Sequence, residues 1–131
     1  MKIIITSGKL IKDIQDDFSK VFPFLKIEFF KISGNKTRET INRISNLLPV
    51  GNVHKVTSPK QLIVSPLMTV KDFESDFENK FGMGVQLYRK SGNTWLGITM
   101  TDTWTMKQQD DQGNEISKIV QLSAISRCFT S

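Results

Sequence analysis

Cysteine and histidine are almost missing from this sequence: Cys128 and His54 are the only ones among 131 residues. No disulfide can form within the chain, which favours a reducing compartment, and one thiolate with one imidazole cannot build a structural zinc site. The first apolar run, in MKIIIT, is shorter than the roughly 7–15 residues of a signal peptide's hydrophobic region. No stretch approaches the roughly 18 apolar residues that span a bilayer. We therefore expect a cytoplasmic protein without a membrane partner.

Signatures of catalysis and cofactor binding are also missing. His54 lies in a loop-like segment and Cys128 near the C-terminal end, so no base is placed beside a nucleophile. The phosphate-binding patterns GxGxxG and GxxxxGK[ST] do not occur. The sequence predicts no catalytic, cofactor-binding or metal-binding residue and no cofactor, and it favours a protein that is not an enzyme.

Acidic residues do occur four positions apart, which places both members of a pair on one helix face. The pairs are Asp13 with Asp17, Asp72 with Asp76, and Glu74 with Glu78. Such a pair can hold a divalent ion or act in acid–base chemistry. Because these residues fall opposite apolar helix positions, we interpret them as a solvated surface instead.

The sequence contains an internal repeat, seen first in KDIQDDF at 12–18 and KDFESDF at 71–77. The apolar pattern agrees when residues 3–22 are laid over 62–81, and it continues beyond Phe81 when one residue is dropped. The turn SGN also recurs. The repeat predicts a single domain over 1–131.

Within this domain the sequence predicts two copies, a basic insertion and a tail that is either flexible or docked on the core. Their bounds are 3–36 and 62–94 for the copies, 36–61 for the insertion and 113–131 for the tail.

Each copy opens with a β-rich run, IIIT or LIVS, and continues with apolar residues at helical spacing. These residues are Ile11, Ile14, Phe18 and Phe22 in the first copy, and Val70, Phe73, Phe77 and Phe81 in the second. Alternating apolar residues follow, which is typical of a strand. Thr69 and Asp72 resemble a helix-capping pair. We predict an α+β fold in which two amphipathic helices cover one face of a mixed four- to five-stranded sheet, either ferredoxin-like or β-grasp-like.

The segments outside the repeated core give further expectations. Residues 84–100 have the pattern of a β-hairpin, and Asp102 with Thr103 is positioned to cap a short helix in WTMKQQ. Gly113 predicts a break in the chain after that helix. KTRETINRISNLL, at 36–48, has the spacing of a helix, and Trp95 and Trp104 are interpreted as core anchors.

The net charge of +5 arises in one place, because residues 31–60 contain six basic residues and one acidic residue. Five of the six basic residues lie in the basic insertion, among them Lys36, Arg38 and Arg43. A cluster of this kind is typical of a mobile solvated segment, of a contact with nucleic acid or of a dock for an acidic protein.

Aromatic residues are expected on the sheet face opposite the helices. The alternation that turns Ile27 and Phe29 inward turns Phe30 outward, and it places Tyr88 likewise in the second copy. Lys26 and Lys90 fall on the same face. We predict a non-enzymatic protein-interaction module whose partner is another protein or a second copy of the chain. The alternative is a module that binds single-stranded nucleic acid through the sheet aromatics and the basic insertion.

Three stretches carry a resemblance: FPFLKIEFFK, FGMGVQLYRKSGNTWL and DTWTMKQQ. In these residues the chain resembles a family of small uncharacterised bacterial proteins of Bacteroidetes type. The resemblance covers about residues 1–112 and is strongest over 62–112. It implies no known function, so no site residue is carried over from it.

Overall fold

The computed structural model describes residues 1–31, 43–52 and 58–129, which form three α-helices and five strands. In chain order these are β1 (Lys2–Ile5), α1 (Ile11–Val21), β2 (Leu25–Phe30), β3 (Lys60–Ile63), α2 (Val70–Phe81), β4 (Gly84–Ser91), β5 (Thr94–Gly97) and α3 (Met106–Phe129). The strands form a two-stranded sheet, β1–β3, and a three-stranded sheet, β2–β4–β5. The α+β class and the duplicated strand–helix–strand order are confirmed.

Both sheets are antiparallel, so the described strands do not build the single mixed sheet that the sequence predicts. β1 pairs with its counterpart in the repeat, β3, and Ile3 lies opposite its own equivalent, Leu62. β2 pairs with its counterpart β4 in the same way, with Glu28 opposite its equivalent, Gln86. Equivalent strands that pair around a local two-fold axis must run in opposite directions. The pairing of β2 with β4 is the departure from a ferredoxin-like order, in which these two strands lie at opposite edges of one sheet. The described strands also lack the parallel central pair of a β-grasp fold.

The helix faces predicted from apolar spacing are buried. Phe18 of α1 and Phe77 of α2 are fully buried. The ring of Phe73 lies 5.8 Å from that of Phe18 and 6.0 Å from that of Phe77, measured between centroids. Phe29 of β2 meets Phe77 at 5.5 Å. The phenylalanines of the two copies therefore form one continuous core.

The first turns of α1 and α2 are bonded in the same way by two loops. In α1, Ile11 N–H donates to Leu48 O at 3.1 Å and Lys12 N–H donates to Asn46 O at 2.9 Å. In α2, Val70 N–H donates to Trp104 O at 3.1 Å and Lys71 N–H donates to Asp102 O at 2.8 Å. Thr69 also accepts a bond from Asp72 N–H at 3.1 Å, as predicted, whereas Leu10 before α1 supplies no side-chain cap. The loops thus satisfy helix donors that have no partner within the helix.

Arg43 and Ile44 pair with β2, although they lie within the segment 36–48 for which the sequence predicts a helix. Arg43 forms an antiparallel bridge with Phe30, and Ile44 N–H donates to Phe29 O at 2.8 Å. The outer edge of β2 needs backbone partners, and this segment supplies them. Most of the predicted helix, with Lys36 and Arg38, lies outside the described residues, as does His54.

α3 begins differently from the short helix that the sequence predicts. Thr105 and Gln108 cap it reciprocally: Gln108 N–H donates to Thr105 Oγ1 at 3.1 Å, and Thr105 N–H donates to Gln108 Oε1 at 2.9 Å. This capping box replaces the predicted cap at Asp102 and Thr103. No helix among the described residues has both the length and the apolarity needed to cross a membrane.

α3 also continues through Gly113, where the sequence predicts a break. A Cβ atom added at Gly113 would lie 2.8 Å from Cβ of Phe24 and 3.2 Å from Cγ of Arg89. The missing side chain therefore lets the helix pack closely on the turn before β2. Close packing, and not helix termination, is the reason for this glycine.

Asp110 attaches the same helix to the same turn. Its Oδ1 accepts a hydrogen bond from Phe24 N–H at 2.8 Å. Burial raises the pKa of Asp110 above 3.8, against the lowering effect of that bond. The ionised carboxylate is therefore less favourable in the folded chain than in the unfolded chain.

We expect Gly113→Ala to lower the free energy of unfolding by about 1–2 kcal/mol, because overpacking outweighs the gain of about 1 kcal/mol in helix propensity. Urea unfolding measures the change. Gly8→Ala is the matched control, since no atom lies within 4 Å of its added Cβ. A stabilised Gly113→Ala variant would show that the contact with Phe24 is not tight.

We expect Asp110→Asn to stabilise the chain more at pH 7 than at a pH near 3.8. With a raised folded pKa, the wild-type carboxyl destabilises the fold when ionised, and this cost disappears as the pH falls through the folded pKa. Asparagine keeps the oxygen that accepts from Phe24 but carries no charge. Denaturant unfolding of both proteins across this pH range measures the difference, and a constant difference would contradict the assignment.

Candidate interaction surface

Strand alternation builds a polar and aromatic surface on the side of the three-stranded sheet that faces away from the helices. Leu25, Ile27 and Phe29 of β2 are fully buried. Lys26 and Glu28 alternate with them and point to the other face. Lys26 lies opposite Tyr88 of β4, and Lys90 of β4 lies opposite Trp95 of β5, so all four side chains share that face.

A buried carboxylate organises this surface. The Glu28 side chain is only 10% exposed, and its Oε1 lies 3.0 Å from Lys26 Nζ. Its Oε2 lies 3.9 Å from Arg43 Nε and accepts a bond from Gln15 Nε2 at 3.4 Å. Charged groups this poorly solvated require partners, so Glu28 holds both cations in place.

The same two cations also contact the aromatic rings. Lys26 Nζ lies 5.9 Å from the ring centroids of both Tyr88 and Trp95, within range of a cation–π interaction. Arg43 Nη2 donates to Tyr88 Oη at 3.4 Å. We call Lys26, Glu28, Arg43, Tyr88 and Trp95 the sheet-face cluster. Its bonds connect three strands and the segment that bridges to Phe30.

The structure brings together part of the surface predicted from the sequence. Lys26, Arg43 and Tyr88 belong to the sheet-face cluster, and Lys90 is adjacent to it through Trp95. Phe30 is only 3% exposed, because it lies between Gly84 of β4 and the bridging residue Arg43. It is therefore not available to a partner in this conformation. The predicted contributions of Lys36 and Arg38 lie outside the described residues.

The sequence prediction missed Glu28 as a member of the cluster, and it interpreted Trp95 chiefly as a core anchor. Alternation with Ile27 and Phe29 was the available signal for Glu28, since it places the carboxylate on the same face as Lys26. Trp95 is 38% exposed, and so is Trp104, which contradicts their prediction as core anchors. β5 is the edge of its sheet, and Trp104 precedes α3 with the Arg89 guanidinium 5.8 Å from its ring.

The sequence predicts that the helix carboxylates form a solvated surface, but the structure buries one of them. Glu74 is buried and accepts a bond from Leu87 N–H at 3.0 Å. Gln15, its equivalent in α1, donates to Ile27 O at 2.8 Å. Each helix thus uses one side chain to satisfy a backbone group of the neighbouring strand, which a charge pattern alone does not reveal. The described residues contain no group of three side chains suited to a metal ion.

A shallow groove of about 290 Å³ lies at the start of α3. It is lined by Trp104, Gln108, Asp111, Gln112 and Glu115. Asp111 is already paired with Lys107 at 2.7 Å. The groove is open and holds no converging buried polar group, so the sheet-face cluster is the stronger candidate site.

No family model, curated protein or solved structure matches the chain. The sheet-face cluster is therefore the basis of the proposed function.

We expect Glu28→Gln to lower the free energy of unfolding by about 1–2 kcal/mol, because it removes a charged acceptor from two cations. The loss is limited since Lys26 and Arg43 are themselves partly solvated. Asp76→Asn on the exposed face of α2 is the control and should change the free energy by less than about 0.5 kcal/mol. Equal effects of the two substitutions in denaturant unfolding would contradict the organising role of Glu28.

Proposed function

We propose that the chain is a non-enzymatic module that binds another protein through the sheet-face cluster. The supporting observation is the buried Glu28 carboxylate, which holds Lys26 and Arg43 beside two partly exposed rings, Tyr88 and Trp95. Tryptophan, tyrosine and arginine are the residues most enriched at the energetic centres of protein interfaces.

The side chains of the cluster are already restrained before a partner binds. Lys26 has contacts with a carboxylate and two rings, and Arg43 with a carboxylate and a phenol. Binding normally costs about 0.5–1.5 kcal/mol for each long side chain that becomes ordered. Restraint in the unbound chain reduces this cost, which favours a surface used for recognition.

Charge defines the kind of partner. The surface holds three cations, Lys26, Arg43 and Lys90, for one carboxylate, Glu28, and the whole chain carries +5. A partner with an acidic surface is attracted to it, whereas a second copy of the chain is repelled at long range. We therefore propose an acidic protein as the partner.

Binding of single-stranded nucleic acid is the second candidate. Partly exposed Tyr88 and Trp95 beside cations are the combination that stacks bases and attracts phosphates. Against it, Phe30, which the sequence counts among the aromatics that would stack bases, is buried. This burial favours a protein partner.

We expect Trp95→Ala to weaken binding of a purified partner by about thirtyfold or more, as loss of an interface anchor does. The partner is first isolated from cell extract on immobilised full-length chain after nuclease treatment, and affinity is then measured by calorimetry. Trp104→Ala is a matched control because both tryptophans are 38% exposed. It should change the affinity by less than about threefold.

Equal losses in the two variants would show that the sheet-face cluster is not the binding surface. Retention that disappears with nuclease, together with a mobility shift of mixed oligonucleotides at low salt, would favour the nucleic-acid candidate instead.

A further inference from the structure

Among the described residues β5 is an edge strand, and apart from its length of four residues it lacks the usual protection against strand pairing. It is the outer strand of the sheet β2–β4–β5, and all four residues of its sequence TWLG are exposed. Protected edges carry lysine, proline or a bulge. β5 has no lysine or proline, and its register with β4 is continuous from Tyr88–Gly97 to Ser91–Thr94.

The register also defines which backbone groups face outward. Gly92 and Asn93 form a two-residue turn, so Ser91 with Thr94 and Arg89 with Leu96 are the hydrogen-bonded pairs of the hairpin. Lys90 agrees with this assignment, since its N–H donates to Phe24 O at 2.9 Å and not to β5. Trp95 and Gly97 therefore direct their N–H and C=O groups away from β4, toward the outer edge.

Gly97 leaves room beside the sheet-face cluster. Its equivalent in the first copy is Arg43, because Arg43 bridges to Phe30 as Gly97 pairs with Tyr88. A Cβ added at Gly97 would lie 3.6 Å from the Tyr88 ring, at ordinary contact distance. A side chain from outside the chain can therefore rest against the Tyr88 ring at this position.

We propose that the partner contributes an extended acidic segment that pairs with the outer edge of β5 as an added strand. This inference rests on the proposed function and specifies its geometry. Alternate side chains of an added strand face the sheet-face cluster, next to Trp95 and Gly97. Acidic side chains at those positions meet the excess of cations, Lys26, Arg43 and Lys90. Pairing of β5 with a second copy would instead bring two such basic surfaces together.

The test uses the full chain and a short capped peptide in which glutamate alternates with valine. We expect binding that weakens with salt, and slower hydrogen exchange at the amides of Trp95 and Gly97, by about tenfold or more at saturation. Leu96, already bonded to β4, should not change. Nuclear magnetic resonance follows the three amides separately.

Two matched controls isolate the pairing from the charge. A peptide N-methylated on the edge that meets β5 keeps its charge but should bind about tenfold more weakly or worse, since its backbone donors are lost. Lys90→Glu should weaken binding by about tenfold, and Lys71→Glu on the exposed side of α2 by less than about twofold.

The outcomes separate this proposal from the proposed function. If the acidic peptide binds but the N-methylated peptide binds equally and the amides of Trp95 and Gly97 are unchanged, strand addition is wrong while recognition by the cluster stands. Absence of binding at low salt also overturns strand addition. Amide protection that rises with the concentration of the chain itself would identify a second copy as the occupant and overturn the acidic partner. The proposed function fails if Trp95→Ala leaves partner binding unchanged or weakens it no more than Trp104→Ala does.

Discussion

Antiparallel pairing of each strand with its counterpart in the repeat is the constraint on which the rest of the structure depends. In a strand–helix–strand unit of this chain the two strands do not pair with each other, so neither copy satisfies its own backbone groups. β1 finds its partner in β3 and β2 finds its partner in β4. This exchange brings the two helices over a shared interior, where Phe18 meets Phe73. Neither unit can form its sheets alone, because unpaired buried peptide groups are costly.

The likeness of the two copies extends into the loops that bond the helix N-termini. The backbone carbonyls of segments 45–51 and 101–107 each accept two hydrogen bonds from the first turn of a helix. Two backbone N–H groups of each segment donate to carbonyls of the residues that precede that helix. In the first copy this segment leads into a short 3-10 helix at Val50–Asn52, whereas in the second it leads into α3. α3 then packs on the second sheet through Gly113 and Asp110. The third helix is thus the main departure from symmetry in the described chain.

The candidate site arises from smaller departures from that symmetry. Glu28 lies opposite its equivalent Gln86, so a carboxylate faces an amide across the local two-fold axis. Arg43 occupies the position that Gly97 occupies in the other copy. One side of the sheet face therefore carries the ion pairs, and the other side carries an open edge beside Tyr88. A perfectly repeated chain would bring identical groups together at the axis, and the two sides of its sheet face would not differ.

The local pattern of the sequence determined the helix faces, because the apolar spacing in α1 and α2 places the same residues on the buried face whatever elements pack against it. It also predicted the cap at Thr69 and the position of Lys26 and Tyr88 on one sheet face. Only tertiary structure decided which strands pair, since alternation does not encode a partner. Tertiary structure likewise decided that Arg43 joins β2, that Phe30 is enclosed and that Gly113 lies within a helix. Each of these depends on groups distant in the chain, and residue types alone do not show which distant groups meet.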